Sequence, residues 1–222
     1  ELLQTLAVLG KEFTLSLVRA VTGCGDDELN RMLDALQLAE FIYEQPAAGE
    51  LEYTFKHTLT QEVAYHSVLS ERRQLLHERA AAAIEGLGAG RLENQLVEVV
   101  HHYSRSGNVA KAVEYLGRAG HRAARQAAHA EAIEYLTRAL DLLPQLPESA
   151  ERSRQELELG QSLAEVLGVT KGYAAPETIA VAERVAVLAE HSGSLTQLVD
   201  SVISRCVIAF YSGDMPTASA LD

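Results

Sequence analysis

The sequence predicts a mainly α-helical protein in two parts: three helices and a β-hairpin over residues 1–90, then an array of helical hairpins over residues 91–222. Three observations carry this. Ala112, Leu116, Ala119 and Gly120 fall on one helical stretch, and Ala132, Leu136 and Ala139 on the next, with Pro144 behind them. Small residues at those steps let two antiparallel helices approach closely, and the proline stops the second. The first forty residues hold three short segments of helical apolar period, followed by two extended stretches around a Pro- and Gly-containing loop. Finally, 222 residues with 47% hydrophobic and 23% charged side chains suffice for one large or two modest cores. No apolar run reaches the roughly 18 residues that would cross a bilayer.

In order along the chain, Leu2, Leu3, Leu6 and Leu9 mark a short helix ended by Gly10. Leu15, Leu17, Val18 and Val21 mark a second, ended by Thr22 and Gly23. Asp26 or Asp27 is placed to cap a third, whose apolar face runs through Leu29, Leu33, Leu36 and Leu38 up to Glu40. Phe41–Glu44 and Leu51–Phe55 are the extended stretches, and the residues between them supply Pro46 and Gly49 for a hairpin loop. After Phe55, Lys56 and His57 comes one long amphipathic helix with apolar positions Leu59, Val63, Val68 or Leu69, Leu76 and Ala80.

Three helices followed by a hairpin is the winged-helix order. A winged helix that reads DNA places basic and amide side chains of its third helix in the major groove. Here Asp26, Asp27, Glu28 and Asp34 stand against a single Arg31, and carboxylates beside phosphate repel. The net charge is −12; residues 1–90 hold 7 Lys and Arg against 14 Asp and Glu, and the remainder 12 against 17. Neither part carries the basic footprint of a nucleic-acid binder. The third helix therefore reads as a packing element, and a nucleic-acid-binding module ranks last among the functions considered.

The residues after the hairpin are the most specific text in the chain: Phe55, Lys56, His57, Leu59, Gln61 and Glu62, then Tyr65, then Arg72, Arg73, Leu76 and His77. This pattern resembles the winged-helix segment of bacterial signalling ATPases of the STAND class, which are often fused to class III adenylate or guanylate cyclase domains or to transcription-regulator domains. The stretches His101–Asn108, Ala112–Gly120, Ala132–Leu136 and Lys171–Glu177 resemble the tetratricopeptide-like repeat region that follows the ATPase there. The resemblance runs from about residue 1 to about 190, and the order of its motifs makes it stronger than any one of them.

The resemblance implies a parent protein that binds ATP or ADP. This sequence has no Gly-x-x-x-x-Gly-Lys-Ser/Thr phosphate loop, no recognisable cyclase aspartates and no His-Glu-x-x-His, so no catalysis, cofactor or metal is expected of the chain itself. In related STAND proteins a winged-helix histidine, often within Met-His-Asp, touches the ADP phosphate and helps hold the resting state. His57 resembles it in placement, directly after the second hairpin strand and at the start of a helix, where N–H groups favour an anion; Phe55-Lys56-His57 departs from the Met-His-Asp text. The alternative is that His57 caps or packs against the hairpin. His101 and His102 are adjacent, point roughly 100° apart on a helix, and read as surface or inter-helix residues rather than metal ligands. His66 and His77 lie on the long helix among charged neighbours, and His121, His129 and His191 have no constellation around them.

The array is expected to contain six helices in three hairpins. Their stripes are Leu92 to Tyr103, Val109 to Ala123, Ala132 to Leu143, Leu159 to Leu167, Ile179 to Ala189, and Leu195 to Phe210. Tetratricopeptide units repeat at about 34 residues, and the longer, uneven spacing here predicts a degenerate array. The opening without Met and the helix-like close at Ala218–Asp222 lead us to expect a fragment cut at its C-terminus, with an apolar face at Val202, Ile203 and Phe210 open to homodimerisation. Cys24 and Cys206, far apart, read as reduced thiols, and with no signal peptide the expected setting is cytoplasmic. The favoured function is a non-catalytic regulatory segment whose repeats bind a protein or peptide and whose winged helix meets the parent's ATPase domain. The alternative is the inducer-sensing region of a LuxR- or MalT-like transcription regulator.

Overall fold

A computed structural model describes residues 1–46, 50–88, 92–192 and 195–212. The chain is mainly helical, with a small three-stranded antiparallel sheet. It divides into two compact units, residues 1–108 and 109–222.

The first unit runs α1 (Leu2–Leu9), β1 (Glu12–Thr14), α2 (Leu15–Thr22), α3 (Asp26–Leu38), β2 (Ile42–Pro46), β3 (Leu51–Phe55), α4 (Thr58–His66), α5 (Ser70–Leu87), a 3-10 turn (Leu92–Gln95) and α6 (Leu96–Tyr103). Local chemistry sets these bounds. Gly10, at φ 138°, turns the chain out of α1 into β1, a backbone that a side chain would strain. Thr14 caps α2 by accepting from the Leu17 N–H at 3.2 Å, and Gly23 ends that helix in the left-handed region at φ 65°. β3 is the central strand in the order β1-β3-β2, with Phe13 opposite Tyr53 and Ile42 opposite Phe55. Phe13 stacks on Tyr53 and meets Phe55 edge-on at 5.9 Å; Leu6, Val18, Leu29, Leu33, Ile42 and Ile84 are fully buried with them.

Four expectations for this unit are corrected. β1 joins the sheet although its three residues are too short to show a period. The N-cap of α3 is Gly25, with no side-chain cap; Asp26, Asp27 and Glu28 instead occupy the first turn, where negative charge suits the positive helix end. Leu38 is 90% exposed and lies off the face of buried Leu29 and Leu33. The single long helix is two, because the Ser67 hydroxyl donates to the Ala64 carbonyl at 2.7 Å and Leu69 takes extended backbone, with ψ 142°, before α5 restarts at Ser70. Of the apolar positions read on that helix, Leu59 and Val63 are exposed, and of the pair Val68 or Leu69 it is Val68 that is buried and Leu69 that is exposed. The loop residues 47–49, and the chain end expected to continue a helix, lie outside the described residues.

The second unit holds α7 (Val109–Arg125), α8 (His129–Leu142), a 3-10 turn (Leu143–Gln145), α9 (Ala150–Lys171), α10 (Pro176–Ser192) and α11 (Leu195–Ser212). Each helix packs on the next, from α7 to α11. Pro144 lies in the 3-10 turn after α8, the Ser149 hydroxyl accepts from the Arg152 N–H to cap α9, and Pro176 opens α10 where its missing N–H costs nothing. Helix α7 meets α8 closely at Gly120: a Cβ there would stand 2.7 Å from Leu136 Cγ and Cδ2. Gly160 meets Val185 in the same way, at 2.8 Å. The hairpin pairing is shifted from the expected one, because α6, read as the first helix of the array, packs on α5 within the first unit. At α11, Ile203 and Phe210 are exposed and Val202 is partly buried.

Candidate functional site

His57 is the residue at which β3 hands over to α4. Its backbone is extended, its carbonyl accepts from the Thr60 and Gln61 N–H groups to start the helix, and its side chain makes no cap bond. The ring is therefore exposed at the positive end of a nine-residue helix whose first turn holds no acid. Beside it Lys56 Nζ pairs with Glu40 at 2.9 Å. That hydrogen bond and the lysine's charge hold the Glu40 carboxyl below the usual carboxylate range, with a smaller effect from His57.

Further along α4 lies an apolar groove of about 450 Å³ lined by Leu3, Phe41, Leu59 and Val63 among others. Leu59 is 70% exposed and Val63 63%, so α4 presents large apolar side chains to solvent within two turns of His57. The other face of α4 is seated on α1 and β3; Gln61 Nε2 donates to the Ala7 carbonyl at 2.8 Å, and Ala64 is buried.

Sequence reasoning missed a second feature altogether. Tyr65 on α4, His77 on α5 and His102 on α6 form a chain of side chains: Tyr65 Oη lies 3.1 Å from His77 Nε2, and His77 Nδ1 lies 2.9 Å from His102 Nδ1. His77 and His102 are each 1% exposed. Burial first, and then the cationic neighbours Arg105 and Arg73 together with His101, push His77 down to about 4. Burial and the same kind of neighbours push His102 down to about 3. The Arg73 guanidinium lies over the Tyr65 ring at 5.0 Å, and Arg105 Nη1 reaches His101 Nδ1 at 3.1 Å. His102 is thus the buried inter-helix residue, whereas His101 faces Arg105 with its ring 6.0 Å from that of His77.

A third feature is a cleft of about 640 Å³ beside β1, with Glu12, Glu50, Glu52 and Glu98 on its rim and Phe13, Leu17 and Ile84 on its floor. Among the described residues no group of three or more His, Cys, Asp or Glu side chains is arranged to hold a metal ion. On α3, Arg31 Nε is engaged by the Asp27 carbonyl at 3.0 Å, and Arg19 of α2 pairs with Asp26 at 2.7 Å, so both cations near the would-be reading helix have partners within the unit. Among the described residues no helix is long and apolar enough to cross a membrane.

No family model matches the chain, and no solved structure matches it. An uncharacterized protein of Rhizobium meliloti (strain 1021) is 33% identical over 153 residues, which is 67% of this chain. The chain spans only 15% of that relative's length.

Proposed function

We propose that this chain is a non-catalytic regulatory and protein-interaction segment of a larger signalling ATPase of the STAND kind, associated with a nucleotide cyclase or similar output domain. The order α1-β1-α2-α3-β2-β3 is compatible with a winged helix, and the consecutive packing of α7 to α11 with glycine at the close approaches is compatible with tetratricopeptide-like hairpins. The observation that carries the reading is His57: an exposed ring with no cap bond at the positive end of α4, next to the apolar groove of Leu59 and Val63. An anion would find N–H groups and a ring nitrogen there, and an ATPase domain of the same protein would find apolar area to bury.

In this reading the first unit meets the ATPase domain and registers whether ADP is bound, and the helical unit receives a protein or peptide. ATP and ADP belong to the parent protein. The acidic first turn of α3, its cations already paired, favours this over a nucleic-acid module.

The test is capture of a separately expressed ATPase domain of the parent by the 222-residue chain, with and without ADP. Capture that ADP strengthens and His57→Ala weakens by tenfold or more is expected. Capture indifferent to both would remove His57 from the mechanism, and no capture at all would leave the helical unit as the sole interaction surface.

A further inference from the structure

We propose that the buried chain Tyr65–His77–His102 is an acid-released latch that holds α4 and α6 to α5. Its geometry permits two protonation arrangements and forbids a third. Two Nδ1 atoms at 2.9 Å must share one proton. If His77 Nδ1–H donates, His77 Nε2 is free to accept from the Tyr65 hydroxyl; if His102 Nδ1–H donates, His77 Nε2–H donates to the Tyr65 oxygen. Both neutral arrangements satisfy the whole chain. A first added proton leaves an N–H···N bond but places a charge among side chains that are 1% exposed; a second sets N–H against N–H and breaks the bond.

No carboxylate is among the groups that bear on the pair, and Glu98, one turn before His102 on α6, lines the cleft beside β1. The groups that bear on the pair are Arg73 on α5, His101 on α6 and Arg105 in the turn after it, all cationic or able to become so. On α4 the neighbour is His66, whose ring stands edge-on to Tyr65. On α5 itself the carboxylates next to His77 and two turns along are engaged elsewhere: Glu78 accepts from Asn108 Nδ2 at 2.8 Å, and Glu85 accepts from the Tyr103 hydroxyl. Of the other elements packed on α5, α1 brings Glu1, bound by Arg72 at 3.0 Å, α2 brings Arg19, bound by Asp26, and the 3-10 turn brings Glu93 at the far end of the helix. A proton on the pair is answered by opening. α4 carries the exposed groove, and its other seats are on α1 and β3, so loss of the latch frees its C-terminal end and the α6 side of α5 together.

The experiment is backbone amide exchange, corrected for intrinsic rate, on the 222-residue chain at pH 7.5 and 5.2, read on peptides covering α4 and α6. We expect protection there to fall at least tenfold at pH 5.2 in the native chain and to stay flat in His77→Leu/His102→Leu, with His121→Gln, outside the network, behaving as the native chain. Equal loss in the double variant, or undiminished protection in the native chain, overturns the latch. Should the double variant fail to fold, ring titration of the native chain by NMR decides. Rings that stay neutral until α4 and α6 lose protection uphold the proposal, and rings that take a proton near pH 6.5 with protection intact overturn it.

Discussion

The two units are held by different physics, and each has its own weakness. In the first, three helices meet through a tyrosine and two histidines, and further buried or half-buried polar bonds, Tyr103 to Glu85 and Asn108 to Glu78, fasten α5 to α6 and to the turn beyond it. In the second, the helices meet through alanine, glycine and leucine: Ala132, Leu136 and Ala139 of α8 are wholly buried, and Gly120 of α7 admits the Leu136 side chain where any Cβ would collide. Polar networks answer to protons, and close packing answers to volume. The first unit should therefore be sensitive to pH and the second to the removal or addition of a methyl group.

The sharpest way to break the comparison is at Leu136. It is 0% exposed and seated in the Gly120 notch, so Leu136→Ala removes the transfer free energy of the side chain and leaves a cavity that small neighbours cannot fill, a loss of about 4 kcal/mol. Denaturant unfolding followed by amide exchange should show that loss on α7 to α9 at any pH between 5 and 8, with the first unit unmoved. A loss shared equally by both units would mean that they fold as one.

Acid supplies the converse. The rings of the unfolded chain take protons near the ordinary value of 6.5, whereas in the folded chain His77 and His102 take them only near about 4 and about 3. Between those values the unfolded state binds more protons, so stability falls as pH falls through the window from about 6.5 to about 4. At pH 5.5 each ring accounts for about 1.4 kcal/mol, so the pair accounts for about 3 kcal/mol of the first unit's stability. Fluorescence or exchange-based unfolding of α5 and α6 at pH 7.5 and 5.5 measures it; a second unit that lost as much would erase the distinction.

Tyr65→Phe is a smaller and more local probe. It removes one hydroxyl from a half-buried hydrogen bond to His77 Nε2 and keeps the ring under Arg73, at a cost of about 1 kcal/mol. It should also leave His77 Nε2 free to hold a proton without displacing a donor, so the acid midpoint of the first unit should move; a midpoint that stays put would place Tyr65 outside the network.

What the sequence made legible follows the same division. The second unit was readable because its signal is local: small residues three or four apart and a proline after α8 name their own roles, whereas the Ser149 cap of α9 emerges only from the structure. In the first unit Gly10 and Gly23 were equally plain, but β1 has only three residues and exists because β3 needs a second partner, and the break at Ser67 rests on one hydroxyl that turns inward. The histidine pair was invisible because its members are 25 residues apart on separate helices, and adjacency of His101 and His102 said nothing of which one turns in. His57 was legible as a position, and the exposure of its ring is what the fold adds.

The exposed face of α4 offers the smallest effect on stability and the most discriminating one on function. Leu59 and Val63 were expected to lie in a core and instead stand 70% and 63% exposed, so little apolar area is lost from the fold when they become polar. Leu59→Ser and Val63→Ser should each change stability by no more than about 0.5 kcal/mol, as surface substitutions do. An amphipathic helix that keeps its apolar residues outward has another surface to cover them, or they are scattered without consequence. If the ATPase domain proposed above is that surface, the two serine variants should lose its capture while thermal unfolding and the acid response of the histidine pair stay as in the native chain. A stability loss of 2 kcal/mol or more would instead mean that the groove is closed by this chain itself, and the face would then belong to the core of the first unit after all.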